Sequence, residues 1–108
     1  MIVVTRRHLE EAISRYPDAA ADLRAWMLIV VSVRWRSMVD VLKTFKDADL
    51  VDGYTVFNIR HNRYRLITVI HYAKVKGEVE THGHIYIRSV LTHKDYDNRK
   101  NWDRRFGR

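Results

Sequence analysis

The chain has 108 residues, 46% of them apolar and 31% charged, which is enough for one hydrophobic core and too few for two domains. It contains no cysteine, which excludes disulfides and thiolate zinc sites, and its longest apolar run, Met27 to Val31 extended through Ser32 to Val33, is far short of the ~20 residues of a membrane span. The net charge of +7 is unevenly placed: eight Lys/Arg balance eight Asp/Glu from Met1 to Gly53, whereas twelve stand against five from Tyr54 to Arg108. A field of that sign on one half of a small domain attracts polyanions, nucleic acid being the commonest, and it also serves solubility. The opening MIVVTRRHLEE has no signal-peptide apolar region, so the cytoplasm is the expected compartment and no membrane partner is expected.

Thr5 is placed to cap a helix in which Leu9, Ala12, Ile13 and Tyr16 form one apolar stripe, and Pro17 ends it. Asp18 is placed to cap a second helix, AAADLRAWMLIVVSVRW, with Leu23, Trp26, Met27 and Val30 at helical spacing. Their short linker predicts an antiparallel helical hairpin. Ser37 with Asp40 resembles a weak cap before VDVLKTF, and the polar KDADLVDG turns the chain toward strands. Thr55, Phe57 and Ile59 then alternate with Tyr54, Val56 and Asn58, His61 and Asn62 make a turn, and strands follow over Tyr64–Tyr72 and His84–Thr92, joined by a long loop, 74–83. Helices first and a meander afterwards predict a single α+β domain over 1–108, the hairpin packed on a small antiparallel sheet. The tail NRKNWDRRFGR, 98–108, is basic and expected to be partly mobile. Trp26, Met27, Trp35 and Met38 are more than so small a core readily holds, so they either complete it or dock a partner.

Strand alternation puts His84, Tyr86, Arg88, Val90 and Thr92 on one face of the last strand, and Arg65 joins Arg88 on that face if the register suits. At the strand end, THKDYD gathers an imidazole, an ammonium, a phenol and two carboxylates. Metal-free RNA cleavage needs a base for the 2′-hydroxyl, cations for the phosphate and an acid for the leaving 5′-oxygen. His93 is suited to acid or base work near neutral pH. Arg65 and Arg88 are suited to phosphate, Lys94 to added positive charge, and Tyr96 to proton donation or base stacking. Asn62, Arg63, Tyr86, Arg99 and Lys100 are the expected RNA-binding residues. Each has a plainer alternative: Arg88 as a surface strand residue, His93 as a loop cap, Tyr96 as a packing aromatic.

The strings VFNIRHNRYR, YRLITVIHY and IYIRSVLTHKDYD, with the earlier LEEAISRYPDAAADLRAW, closely resemble the HigB family of toxins from bacterial toxin-antitoxin pairs over nearly the whole chain. The family pattern Thr-His-x-x-Tyr-Asp is met by Thr92, His93, Tyr96 and Asp97, the basic strand positions by Arg65 and Arg88, and the turn by Asn58, Asn62 and Tyr64. The resemblance implies a RelE-like fold, ribosome-associated cleavage of messenger RNA without a metal or other cofactor, and neutralisation by a helix-turn-helix antitoxin of the HigA type. It implies His93 as principal acid/base, Arg65 and Arg88 as phosphate clamps, Tyr96 as acid or stacking residue and Lys94 as electrostatic support. The chain departs from the pattern in its long KVKGEVETHG loop and its basic tail. Two other readings remain open: a non-catalytic RNA-binding module with a basic sheet face, and a metal enzyme using His71, His82, His84 or His93, for which no acidic partner has a matching position.

Overall fold

A computed structural model of the chain describes residues 1–103. Strand β1 (Ile2–Val4) leads into helix α1 (Arg6–Arg15), a 3-10 turn at Pro17–Ala19, α2 (Ala20–Val31) and α3 (Met38–Thr44). Then come β2 (Asp49–Val51), β3 (Tyr54–Ile59), β4 (Tyr64–His71), the two-residue strands β5 (Val75–Lys76) and β6 (Val79–Glu80), β7 (His84–Thr92), a four-residue helix α4 (His93–Tyr96) and a 3-10 turn at Arg99–Asn101. The main sheet runs β1-β7-β4-β3-β2, and β5 and β6 form a separate ribbon.

The expected α+β class holds, but the sheet is mixed rather than wholly antiparallel. Strand β1 runs parallel to β7, with Ile2 beside His84 and Val4 beside Tyr86. Three apolar residues are too few to show a period, and their partner lies some eighty residues on, so nothing local marks them as a strand. Strand β2 pairs with β3 where a polar loop was expected, because Leu50 and Val51 are paired by the sheet edge rather than by their own propensity. The second helix ends at Val31, not at Trp35. There the Met1 ammonium takes up the Val30 carbonyl at 3.0 Å and that of Val33, freeing Trp35 to stack on Phe57 with ring centroids 6.0 Å apart.

One sheet face carries the main core. Phe57 and Ile59 of β3, Leu66 of β4, and Ile85 and Ile87 of β7 pack with Leu9, Leu23, Trp26 and Val30 of α1 and α2. Trp26 and Trp35 are buried and Met27 and Met38 pack half-buried against the core, so these four complete it; the exposed apolar side chains include instead Leu28, Ile29 and Val31 of α2 and Val39 and Leu42 of α3. The opposite face carries a smaller cluster, Val56, Ile67 and Trp102, flanked by Tyr54, Leu91 and Tyr96. The tail is thus folded as far as the buried Trp102 and Asp103. Its remainder, 104–108, lies outside the described residues. Among the described residues no helix is long and apolar enough to cross a membrane.

The three expected helix caps do other work. Thr5 has φ 63°, a conformation costly for a β-branched residue, and does not cap α1. Its hydroxyl instead accepts from the Ile87 N–H at 3.0 Å and donates to the Ile87 carbonyl at 2.9 Å, filling the place β1 vacates beside β7. Ser37 makes no side-chain cap, while the Asp40 carboxylate accepts from the Arg36 N–H at 2.9 Å. Asp18 reaches across to the sheet. Thr5→Val keeps the shape and removes the hydroxyl, leaving two backbone groups of Ile87 short of a partner. We expect a loss of about 1–3 kcal/mol in urea unfolding; an unchanged midpoint would show that water replaces the hydroxyl.

Candidate functional site

Antiparallel pairing of Tyr64 with Thr92 sets the β3–β4 turn directly beside the start of α4. The turn is held open by three successive residues of positive φ, Arg60 (52°), His61 (52°) and Asn62 (86°). Across from it, Thr92 caps α4 by accepting from the Asp95 N–H at 3.1 Å, and the His93 N–H donates to the Arg63 carbonyl at 3.0 Å. The two segments enclose an open cleft of about 540 Å³ lined by Arg60, His61, Asn62, Arg63, His93 and Lys94, with Thr92 at its edge. The His93 imidazole is 49% exposed, and its Nε2 lies 3.5 Å from the Asp97 carboxylate one helical turn on. His61 and Arg60 were not foreseen as site residues, although a hairpin drawn with the expected strands already brings their turn against His93.

Asp18 braces this turn. Its carboxylate accepts from the Tyr64 hydroxyl at 2.7 Å and from Arg63 at 3.1 Å and lies 3.7 Å from the Arg60 Nε, while its carbonyl accepts from Arg60 at 2.7 Å. Arg63, like Arg60, is thus positioned by Asp18, with its side chain still 63% exposed at the cleft. The Tyr64 hydroxyl holds the Asp18 carboxyl below its ordinary value; burial opposes it, and Arg63 and Arg60 add smaller lowering effects. The same bond raises the Tyr64 phenol. A depressed carboxyl contributes stability that is complete above the unfolded value, ~3.9, and is lost as pH falls through the folded one. Asp18→Asn should lower the melting temperature of the chain at neutral pH, with the gap from the parent closing as the pH is taken below about 4. A gap independent of pH, measured by thermal melts, would show that the carboxylate charge is immaterial.

Arg65 and Tyr96 form a second group beside the cleft. The Arg65 guanidinium sits 5.4 Å from the Tyr96 ring centroid and donates to the Asn62 carbonyl at 3.0 Å. Tyr96 in turn stacks on Trp102, centroids 5.1 Å apart and planes 9° apart, so its ring is already engaged and its hydroxyl is the part left to act. Burial, and secondarily Asp49, raise the Tyr96 phenol above its ordinary value, with Arg65 opposing, which keeps its hydroxyl protonated and able to donate a hydrogen bond at neutral pH. Arg99 is committed to structure: it lies over the Trp102 ring at 4.7 Å and joins Asp52 in the β2–β3 turn to the buried Asp103, the latter at 2.6 Å. Lys100 is exposed, its N–H received by the Asn98 side chain.

Arg88 and Tyr86 are not brought to the cleft. The pairing of β4 with β7 shifts between Ile67 and Thr68, which face Ser89 and Ile87, so Arg88 is the extra residue of a β-bulge. The bulge reverses the alternation beyond it: Ile85 and Ile87 face the helices, but so does Val90, while Leu91 turns to the Trp102 side. Arg88 precedes His93 by five positions, about 16 Å along a strand rising ~3.3 Å per residue. Both Arg88 and Tyr86 line a separate groove at the far end of β7. His71 and His84 pair across β4 and β7, and no group of three or more potential metal ligands forms among the described residues.

Comparison with known proteins gives this geometry a family. Residues 19–99 match the HigB_toxin family model, described as the RelE-like toxic component of a toxin-antitoxin system. The mRNA interferase toxin HigB of Escherichia coli (strain K12) is 26% identical over 100 residues, covering 90% of this chain and 88% of that protein. The mRNA interferase HigB of Escherichia coli O157:H7 and that of Shigella flexneri align with the same identity and coverage.

Proposed function

The chain belongs to the HigB family of RelE-like toxins, and from that premise we propose that it is an endoribonuclease that cuts messenger RNA, acting in the cytoplasm on translated messages at the ribosome. The observation that carries the reading is the exposed His93 imidazole, 3.5 Å from the Asp97 carboxylate and set in a cleft with His61, Lys94 and Arg60. Such a cleft holds the parts for transesterification. One imidazole takes the 2′-hydroxyl proton as the 2′-oxygen attacks the adjacent phosphorus; an acid returns a proton to the departing 5′-oxygen. The products are a 2′,3′-cyclic phosphate and a free 5′-hydroxyl, with no metal or other cofactor taking part. We assign His93 as the principal acid/base, His61 as the second proton carrier, and Lys94 with Arg60 as the charges that meet the phosphate. Arg65 and Tyr96 act from beside the cleft, Tyr96 as a hydrogen-bond donor through its hydroxyl. The antitoxin is of the helix-turn-helix, HigA-like type.

The test is a translated message incubated with ribosomes and the purified chain in the presence of chelator. Fragments ending in 2′,3′-cyclic phosphate are expected. Salt-dependent binding of the message without any cutting would favour a non-catalytic RNA-binding module instead. Cutting abolished by chelator would return the metal-enzyme reading.

A further inference from the structure

The open sheet face holds a second concavity, distinct from the His93 cleft. Tyr54 of β3, Val69 and His71 of β4, Tyr86 and Arg88 of β7, and His8 at the edge enclose about 390 Å³. Three features set it apart from incidental relief. It is aromatic: the Tyr86 ring meets His71 edge-on, centroids 5.1 Å apart, and lies 6.3 Å from His84 at an interplanar angle of 29°. It is built: the bulge turns Arg88 out of the strand alternation there, and the residue before it is pinned by Thr5 and by His8, whose Nδ1 is 3.0 Å from the Ile87 carbonyl. It is also electrostatically incomplete. The Arg88 Nε is buried without a hydrogen-bond partner, and no carboxylate pairs with the Arg88 guanidinium among the described residues. A buried guanidinium N–H lacking an acceptor costs free energy that an incoming anion returns.

We propose that this groove takes one nucleotide of single-stranded RNA, its base against the Tyr86 and His71 rings and its phosphate on Arg88. A ligand with a π face and an anion side by side matches both halves of the lining, and the volume is that of a small-molecule site. Lying along β7, whose end leads directly into His93 about 16 Å from Arg88, the groove serves as a subsite a few nucleotides from the cut. The inference rests on the reading of the chain as an RNA-acting protein and extends it from the scissile phosphate to a flanking base.

The test uses the full chain carrying His93→Ala, so that RNA survives the measurement, and follows the anisotropy of a short fluorescent single-stranded RNA. Adding Tyr86→Ala should weaken binding about 5- to 150-fold, the loss of one stacked base, while Tyr86→Phe holds the affinity. Adding Arg88→Gln should flatten the slope of log affinity against log salt by about 0.7, one single-strand phosphate. Unchanged affinity with Tyr86→Ala overturns the proposal, as does equal binding of an RNA-length strand lacking all its bases. The two readings fail separately. A wild-type chain that cuts messages while Tyr86→Ala binds like its parent sinks the subsite alone; a chain that never cuts but shows the Tyr86 and Arg88 effects sinks the nuclease alone.

Discussion

Replacing His93 by alanine should reduce cleavage of a translated message by about 10²- to 10⁴-fold, the usual worth of a positioned acid or base, with the melting temperature essentially unchanged. The asymmetry follows from where the residue sits. What His93 gives the fold is its backbone N–H to the Arg63 carbonyl, which alanine retains, and Thr92 still caps α4 through Asp95. The side chain is half exposed, and its contact with the still more exposed Asp97 is worth little to stability. The loss should fall on kcat and flatten the limb of the pH-rate profile that the imidazole governs. His61→Ala tests the partner role: if the two imidazoles share the proton transfers, it removes the opposite limb. A His93→Ala chain that cuts like the parent would displace the chemistry from this cleft altogether.

Trp102→Ala should cost about 3–5 kcal/mol, read from urea unfolding, and reduce cleavage as well. The ring is 2% exposed, stacks on Tyr96, meets Tyr54 edge-on at 5.3 Å and donates from its indole N–H to the Tyr96 carbonyl at 2.8 Å. Removing it empties the small core on the open face and takes away the support under α4, to which His93 and Lys94 belong. Trp102→Phe keeps much of the apolar contact but not the N–H, and should fall between the two. A loss below about 1 kcal/mol would mean that the segment after Asp97 is not docked on the sheet in solution.

The three long strands were legible because each has a full alternating period and a buried face, and α1 because its stripe is unbroken. Strands β1 and β2 were not, since three residues carry no period; β1 owes its pairing to a strand some eighty residues on, whereas β2 pairs locally with β3 across the two-residue Asp52–Gly53 turn. The caps misled for a related reason. Thr5 and Asp18 have the right chemistry for helix starts, but the same oxygens satisfy Ile87 and the Arg60–Tyr64 turn more fully. At the site, THKDYD identified the imidazole and the ammonium of the cleft. It did not separate them from Arg88, because one bulged residue changes the side of the strand on which everything after it lies. Nor does charge counting reveal that Arg63 and Arg99 are each held by carboxylates from distant segments. His71, His8 and Tyr54 meet Arg88 only through the tertiary fold.

The parallel contact of β1 with β7 also has a consequence in time. The first strand waits for nearly the whole chain to be synthesised before its neighbour exists, and the cleft joins a turn near residue 61 to a helix at 93. Domains assemble as units, and pairings this remote in sequence are the slowest to close. A nascent chain therefore carries an unfinished sheet until its last long strand is made, and the cleft between the β3–β4 turn and α4 is among the last features to close.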